Sequence, residues 1–287
     1  MIRRLALIAA ALATPAGAQT TAPPRAILFV GNSFTFGANS AVHYWRAGSV
    51  NDLNGYGIGG VPALFKAFAD QAGLSYTVSL ETEGGKTLGF HYRERRQQID
   101  RRWDTVVLQE YSTLDPQRPG NPANYVADVG RLGRMFAGRN PAVQVYLTAT
   151  WTRADQTYRP GGRWYGRPVA QMAQELRVAA DLARASTPQV AGISPVGEAW
   201  NRAFAGGIAD PNPYDGVSFG QLDLWSWDQY HASAAGYYLE ALVVFGRVTG
   251  VDPRALGRGE RAAEELGFSQ DQTAALQRIA SEQLAQP

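Results

Sequence analysis

The sequence predicts an α/β chain, a three-layer α/β/α sandwich around a central, mostly parallel five-stranded sheet. Three observations carry that reading. Short continuous apolar runs alternate with stretches of helical periodicity, the pattern of a parallel sheet covered on both faces. Small or polar residues follow each apolar run, as at strand ends that open onto a binding rim. With 287 residues, 45% of them hydrophobic, there is material for one large core.

In chain order, Ala26–Val30 is a buried first strand, and a Gly- and Asn-rich loop follows it. Pro62–Ala72 has helical periodicity, with Leu64, Phe65, Phe68 and Ala69 on one face. Tyr76–Leu80 is the second strand and Phe90–Arg102 a charged, exposed helix carrying His91 at its start. Thr105–Leu108 is the third strand and Asn124–Ala137 a helix. Val143–Thr148 is the fourth strand, Val169–Ala185 an amphipathic helix, and Val190–Ile193 the fifth strand. Ser233 is placed to cap a helix running through Val244. Ser269–Gln286 reads as a polar helix on the flank of the sheet.

The N-terminus pairs Arg3 and Arg4 with an apolar run, Leu5–Ala13, and then Ala16-Gly17-Ala18. That is a secretory signal over residues 1–18, cut before Gln19. A short leader, 19–25, precedes the folded chain, 26–287. The competing reading is an uncleaved anchor, but the run falls short of the roughly 20 residues a spanning helix needs. The mature chain is thus expected in the periplasm or outside the cell, without stable membrane insertion. Loss of the two arginines takes the formal charge from +2 to neutral. No basic stripe is present, which argues against a nucleic-acid partner. The absence of cysteine excludes disulfides, thiolate metal sites and cysteine nucleophiles.

The first strand ends in Gly31-Asn32-Ser33, a hydroxyl at a sharp turn. Such a serine is a turn residue unless a base activates it. Of the three histidines, His43 lies in the Gly-rich loop and His91 on the charged helix. His231 stands just before the Ser233 cap, with Asp228 three residues upstream. Within one turn that spacing lets the carboxylate orient the imidazole, as a nucleophile–base–acid set requires. The rim residues after four strands should converge: Gly31-Asn32-Ser33, Gly84-Gly85, Gln109-Glu110 and Ala149–Trp151. Glu110 has two readings, as an acceptor of backbone N–H groups that holds its loop or as a substrate contact. Trp151, Trp225 and Trp227 also have two readings. Alternation puts Trp225 and Trp227 on one face, where they form a sugar-stacking platform or clamp their loop to the sheet. Trp164 and Tyr165 are candidates for a lid or far rim.

Taken in order and spacing, these blocks resemble the SGNH, or GDSL-type, hydrolase superfamily of serine esterases over nearly the whole mature chain. Gly31-Asn32-Ser33-Phe34-Thr35 matches its first block, with Asn32 in place of the family's aspartate. Gly84-Gly85-Lys86-Thr87 matches the second, Gln109 takes the place of the third block's asparagine, and Asp228 with His231 matches the last. "GNSF" with "LQE" is closer to secreted bacterial members and some carbohydrate esterases than to the group's lipases. The resemblance implies a flavodoxin-like topology and one catalytic domain over 26–287. It implies Ser33 as nucleophile, His231 as base and Asp228 as its orienting acid. The N–H groups of Ser33 and Gly85 and the Gln109 amide are implied as oxyanion donors, so Gln109→Ala would lower kcat by about 10²-fold. Apart from the resemblance, their place on the rim makes Asn32, Glu110, Trp151, Trp225 and Trp227 candidate substrate contacts. No cofactor or metal is called for. The expected substrate is a small acyl ester, an O-acetyl group on carbohydrate above all. A lipase, thioesterase or arylesterase, or a catalytically silent glycan binder, are the alternatives.

Overall fold

The computed structural model describes residues 23–286. The expected signal peptide, 1–18, and residues 19–22 of the leader lie outside the described residues. The end of that leader is already structured, because Arg25 opens the first strand and donates its N–H to Ser75.

The strands are β1 (Arg25–Gly31), β2 (Asn51–Asp52), β3 (Tyr76–Thr82), β4 (Thr105–Leu108), β5 (Gln144–Ala149) and β6 (Val190–Pro195). They form one sheet in the order β2-β3-β1-β4-β5-β6, every neighbouring pair parallel. The helices are α1 (Ser33–Phe36), α2 (Gly60–Gln71), α3 (Leu88–Glu94), α4 (Arg96–Ile99), α5 (Ala123–Arg139) and α6 (Ala154–Tyr158). They continue with α7 (Ala170–Ser186), α8 (Val196–Ala205), α9 (Ala234–Thr249), α10 (Arg261–Glu265) and α11 (Gln270–Leu284).

The period-2 alternation of β1 divides the core. Ile27 and Phe29 point into the layer built by α2, α8, α9 and α11, whereas Leu28 and Val30 point into that built by α3, α5 and α7. Helix α9 is buried almost all round, as the central helix of its layer must be. Ser233 caps it as expected, its Oγ accepting the Gly236 N–H at 3.3 Å. No helix among the described residues is long and apolar enough to cross a membrane.

The sheet has six strands where the sequence predicts five. The additional one, β2, is two polar residues within the Gly-rich loop and carries no hydrophobic period. It adds to the edge of β3 through Leu53 N–H to Leu80 O at 2.9 Å. Asp52 then folds the chain back, its carboxylate accepting the N–H groups of Asn54, Tyr56 and Ile58. A short, polar edge strand of this kind resists further pairing.

The single exposed helix expected over Phe90–Arg102 is instead two short ones, α3 and α4, and His91 is wholly buried. Its Nδ1 bonds the equally buried Glu81 carboxylate at the end of β3. Burial of that pair pulls α3 against the sheet. Helix α8 was not anticipated, because it follows β6 without a loop.

Strand order reverses at β1, which has β3 on one side and β4 on the other. In parallel sheets the crevice for a ligand opens at this point, beyond the carboxyl ends of the strands.

Candidate active site

Ser33 stands at that point. Asn32 caps the one-turn helix α1, its Oδ1 accepting the Phe34 N–H at 3.2 Å. Gly31 must be glycine, since a Cβ there would run into the Thr35 hydroxyl and Gln109 Oε1. The Ser33 carbonyl accepts from the Tyr237 hydroxyl at 3.1 Å, which ties the turn to α9. Asn32 Nδ2 donates to Lys86 O at 2.9 Å, and so ties it to the loop carrying Gly84-Gly85.

His231 and Asp228 form the expected pair. Asp228 Oδ1 accepts the N–H of His231 at 2.9 Å and of Tyr230 at 3.1 Å. Its Oδ2 lies 2.6 Å from His231 Nδ1. An ionised carboxylate only accepts, so Nδ1 carries the proton and Nε2 keeps the lone pair a base needs. Burial pushes the Asp228 carboxyl up, but the imidazole bond and the two backbone bonds outweigh it and hold the group below the usual carboxylate range. His231 Nε2 is shielded from solvent and has no hydrogen-bond partner among the described residues.

Ser33, Gly85 and His231 line one cavity of about 690 Å³, walled further by Phe36, Asn39, His43, Tyr44 and Tyr230. Gly85 adopts φ +67°, a conformation that favours glycine. Among the described residues, no protein acceptor takes the N–H of Ser33 or Gly85. The cavity therefore joins a hydroxyl, a free imidazole nitrogen and two unspent backbone donors.

Gln109 does not have the expected aim. Its Oε1 accepts the Asn32 N–H and the Thr35 hydroxyl, each at 3.0 Å, and its Nε2 donates to the Glu110 carbonyl. The side chain is buried beneath the Ser33 turn as a brace, its carbonyl committed to that turn and one Nε2–H to the Glu110 carbonyl. The extra methylene relative to asparagine lets the amide fold back under β1.

Glu110 takes the loop-holding arrangement. Its buried carboxyl accepts the N–H of Tyr111 at 2.6 Å and of Leu88 at 3.2 Å. Burial pushes it up to about 8, against those two bonds. Unfolded, the group titrates near 4.5. Between the two values the native state retains a proton that the unfolded chain has released. The resulting stability is complete below about pH 4.5 and is lost as pH rises to about 8, with a slope of at most about 1.4 kcal/mol per pH unit. Glu110→Gln should remove this component. Urea midpoints measured at about pH 5 and about pH 8 should then lie closer together than in the native protein. An unchanged difference would show that the native carboxyl is ionised throughout.

The tryptophans depart from the sequence reading. Ser226–Gln229 turns rather than extends, with the Gln229 N–H on Ser226 O at 2.9 Å, so alternation fails. Trp225 is buried, its indole N–H on Thr152 O at 3.0 Å and its ring stacked on Phe204, whereas Trp227 is 78% exposed. The two form no common platform, and Trp225 is a clamp. Trp151 is also fully buried, sandwiched between Phe34 at 4.2 Å and Trp200 at 4.8 Å, and does not reach substrate. Trp164 is a core anchor beside α7 rather than a lid, and only Tyr165 is exposed.

Sequence reasoning passed over three site residues. Tyr237 is a phenol in an apolar helix and needs a partner, a signal that was readable. Asn39 and His43 come from the Gly-rich loop, whose irregular path no periodicity reveals. Burial holds the His43 imidazole below its ordinary value.

No protein-family model matches the sequence, and no curated protein matches it. Solved structures do. A DUF4886 family protein from Bacteroides uniformis ATCC 8492 superposes with a TM-score of 0.61 at 18% identity, covering 91% of this chain and 95% of its own. A protein from Parabacteroides merdae ATCC 43184, named as a GDSL-like lipase, gives 0.55 at 19% identity over 79% and 96%. TesA gives 0.50 at 12% identity over 79% and 99%. The chain has the fold that its sequence resemblance implied, that of the SGNH hydrolases.

Proposed function

We propose that this chain is an exported serine esterase that removes small acyl groups, acetyl first among them, from carbohydrate hydroxyls. One observation carries the enzymatic part. Ser33, the unpartnered Nε2 of an Asp228-bound His231 and two free backbone N–H groups share one cavity at the strand-order reversal.

In this reading the Ser33 Oγ attacks the ester carbonyl while His231 Nε2 takes its proton. Asp228 holds the imidazole in the Nδ1–H tautomer and stabilises the imidazolium. The oxyanion is met by the N–H groups of Ser33 and Gly85. His231 then gives the proton to the leaving alcohol, and water repeats the sequence on the acyl-enzyme. The apolar wall offered to the acyl group is Phe36, Ala38 and the Tyr44 and Tyr230 rings. A carbohydrate leaving group is supported by exposed aromatic rings, Tyr44 on the cavity wall at 69% and Trp227, next to Asp228 in the chain, at 78%. Export rests on the N-terminal pattern alone.

The test is a series of p-nitrophenyl esters from acetate to decanoate, beside acetate release from acetylated oligosaccharides. Rates should be highest with acetate and fall at least about tenfold by octanoate. A rate that climbs with chain length would replace this reading by a lipase.

A further inference from the structure

Asp228 has a fourth donor. Asn39, on the loop after α1, places Nδ2 2.7 Å from Asp228 Oδ2, the oxygen that also receives His231 Nδ1–H. The same Nδ2 lies 3.3 Å from Nδ1. Both nitrogens are donors, so they converge on Oδ2 and do not bond each other. The alternative amide orientation would set a carbonyl oxygen against a carboxylate. Asn39 adopts φ +58°, a left-handed conformation that asparagine tolerates better than most residues. Its carbonyl is fixed by the Ser226 Oγ–H at 2.6 Å, on the turn that carries Asp228. The arrangement therefore binds the Ser33 loop to the His231 loop at the acid.

We propose that Asn39 is a positioning residue that lowers the basicity of His231 through Asp228. Its N–H withdraws charge from the oxygen that stabilises the imidazolium, and its dipole presents a positive end to Nδ1. The other charged or titratable groups around this pair are few. Tyr230 packs on the imidazole at 4.0 Å, and the Arg153 guanidinium lies over the Tyr230 ring at 3.6 Å. Arg153 is itself paired with Asp155. His43 lines the same cavity. Tyr237 is buried below, and Tyr214 is close enough to feel the Asp228 charge. None of them touches Oδ2, so Asn39 is the contact through which the acid can be tuned.

This role rests on the serine-esterase reading, but its test need not. With three histidines in the chain, imidazole titrations can be resolved by NMR in the Ser33→Ala background, where turnover plays no part. Asn39→Gly removes the donor and suits the left-handed backbone. Asn39→Asp keeps the shape and replaces the donor by a second carboxylate. The His231 pKa should rise from native to Asn39→Gly and again to Asn39→Asp, by about one unit in the last. In the active protein the acid limb of kcat/KM should move up by the same amounts, so activity below that limb falls about tenfold in Asn39→Asp. Equal His231 titrations in the three proteins would overturn the proposal and leave Asn39 a loop tie. A shifted titration in a protein with no turnover on any ester would uphold the coupling and count against the esterase reading instead.

Discussion

Ser33→Ala should abolish labelling by a fluorophosphonate probe and lower kcat on p-nitrophenyl acetate by at least about 10⁴-fold. The expectation follows from how the serine is held. A hydroxyl at an ordinary turn is no more reactive than water. In the proposed mechanism Ser33 differs, because β1 delivers it to the reversal point of the sheet, where His231, with its Nε2 unpaired among the described residues, lines the same cavity. The probe reacts only with a serine that loses its proton during attack. Asp228→Asn should cost a similar factor, since a neutral amide can hold the wrong histidine tautomer. Circular dichroism should be unchanged in Ser33→Ala, as the Oγ supports no other group in the fold. Retained labelling in Ser33→Ala would move the nucleophile elsewhere. An unlabelled native protein, inactive on every ester, would favour a glycan binder that keeps the fold.

The sheet was legible because its strands read as short apolar runs, or in Tyr76–Leu80 as an alternation, each closed by small or polar residues. β1, β3, β4, β5 and β6 were each found within a residue or two of their limits. The two-residue β2 was not, because a pair of polar residues has no period to detect. Ser33, Asp228 and His231 were readable for a different reason. Each is tied to its own local geometry, one at a strand end and two within a single turn, so a short stretch of sequence contains the whole signal. Gln109 and Asn39 show the limit. Whether an amide aims outward or folds under its neighbour depends on contacts such as Gln109 with Asn32 and Asn39 with Asp228, which join segments 77 and 189 residues apart. The same limit explains His91, assigned to an exposed helix by its charged neighbours and buried by its bond to Glu81.

The largest stability effect is expected at Trp151, a residue that the sequence placed near substrate and the structure places beneath the site. It follows β5 and stacks face to face on Phe34 and Trp200, with ring planes 15° and 6° apart. Phe34 is the residue after Ser33. The Trp151 indole N–H donates to Tyr230 O at 3.2 Å, and Tyr230 precedes His231. One side chain thus supports the Ser33 turn from below and the His231 turn from the side. Trp151→Ala should cost about 3–5 kcal/mol of unfolding free energy, from lost burial and the cavity left between Phe34 and Trp200. Trp151→Phe separates packing from alignment. It retains most of the apolar contact and loses the N–H to Tyr230, leaving that carbonyl short of a donor, at a cost of about 1–3 kcal/mol. If the bond fixes His231, kcat should fall in Trp151→Phe while KM and the fluorescence of the remaining tryptophans change little. The cost in kcat follows from geometry, since catalytic groups displaced by about 1 Å lose rate by about 10²-fold. A Trp151→Phe protein with native kcat would confine Trp151 to the core and leave Asp228 and Asn39 to hold His231 alone.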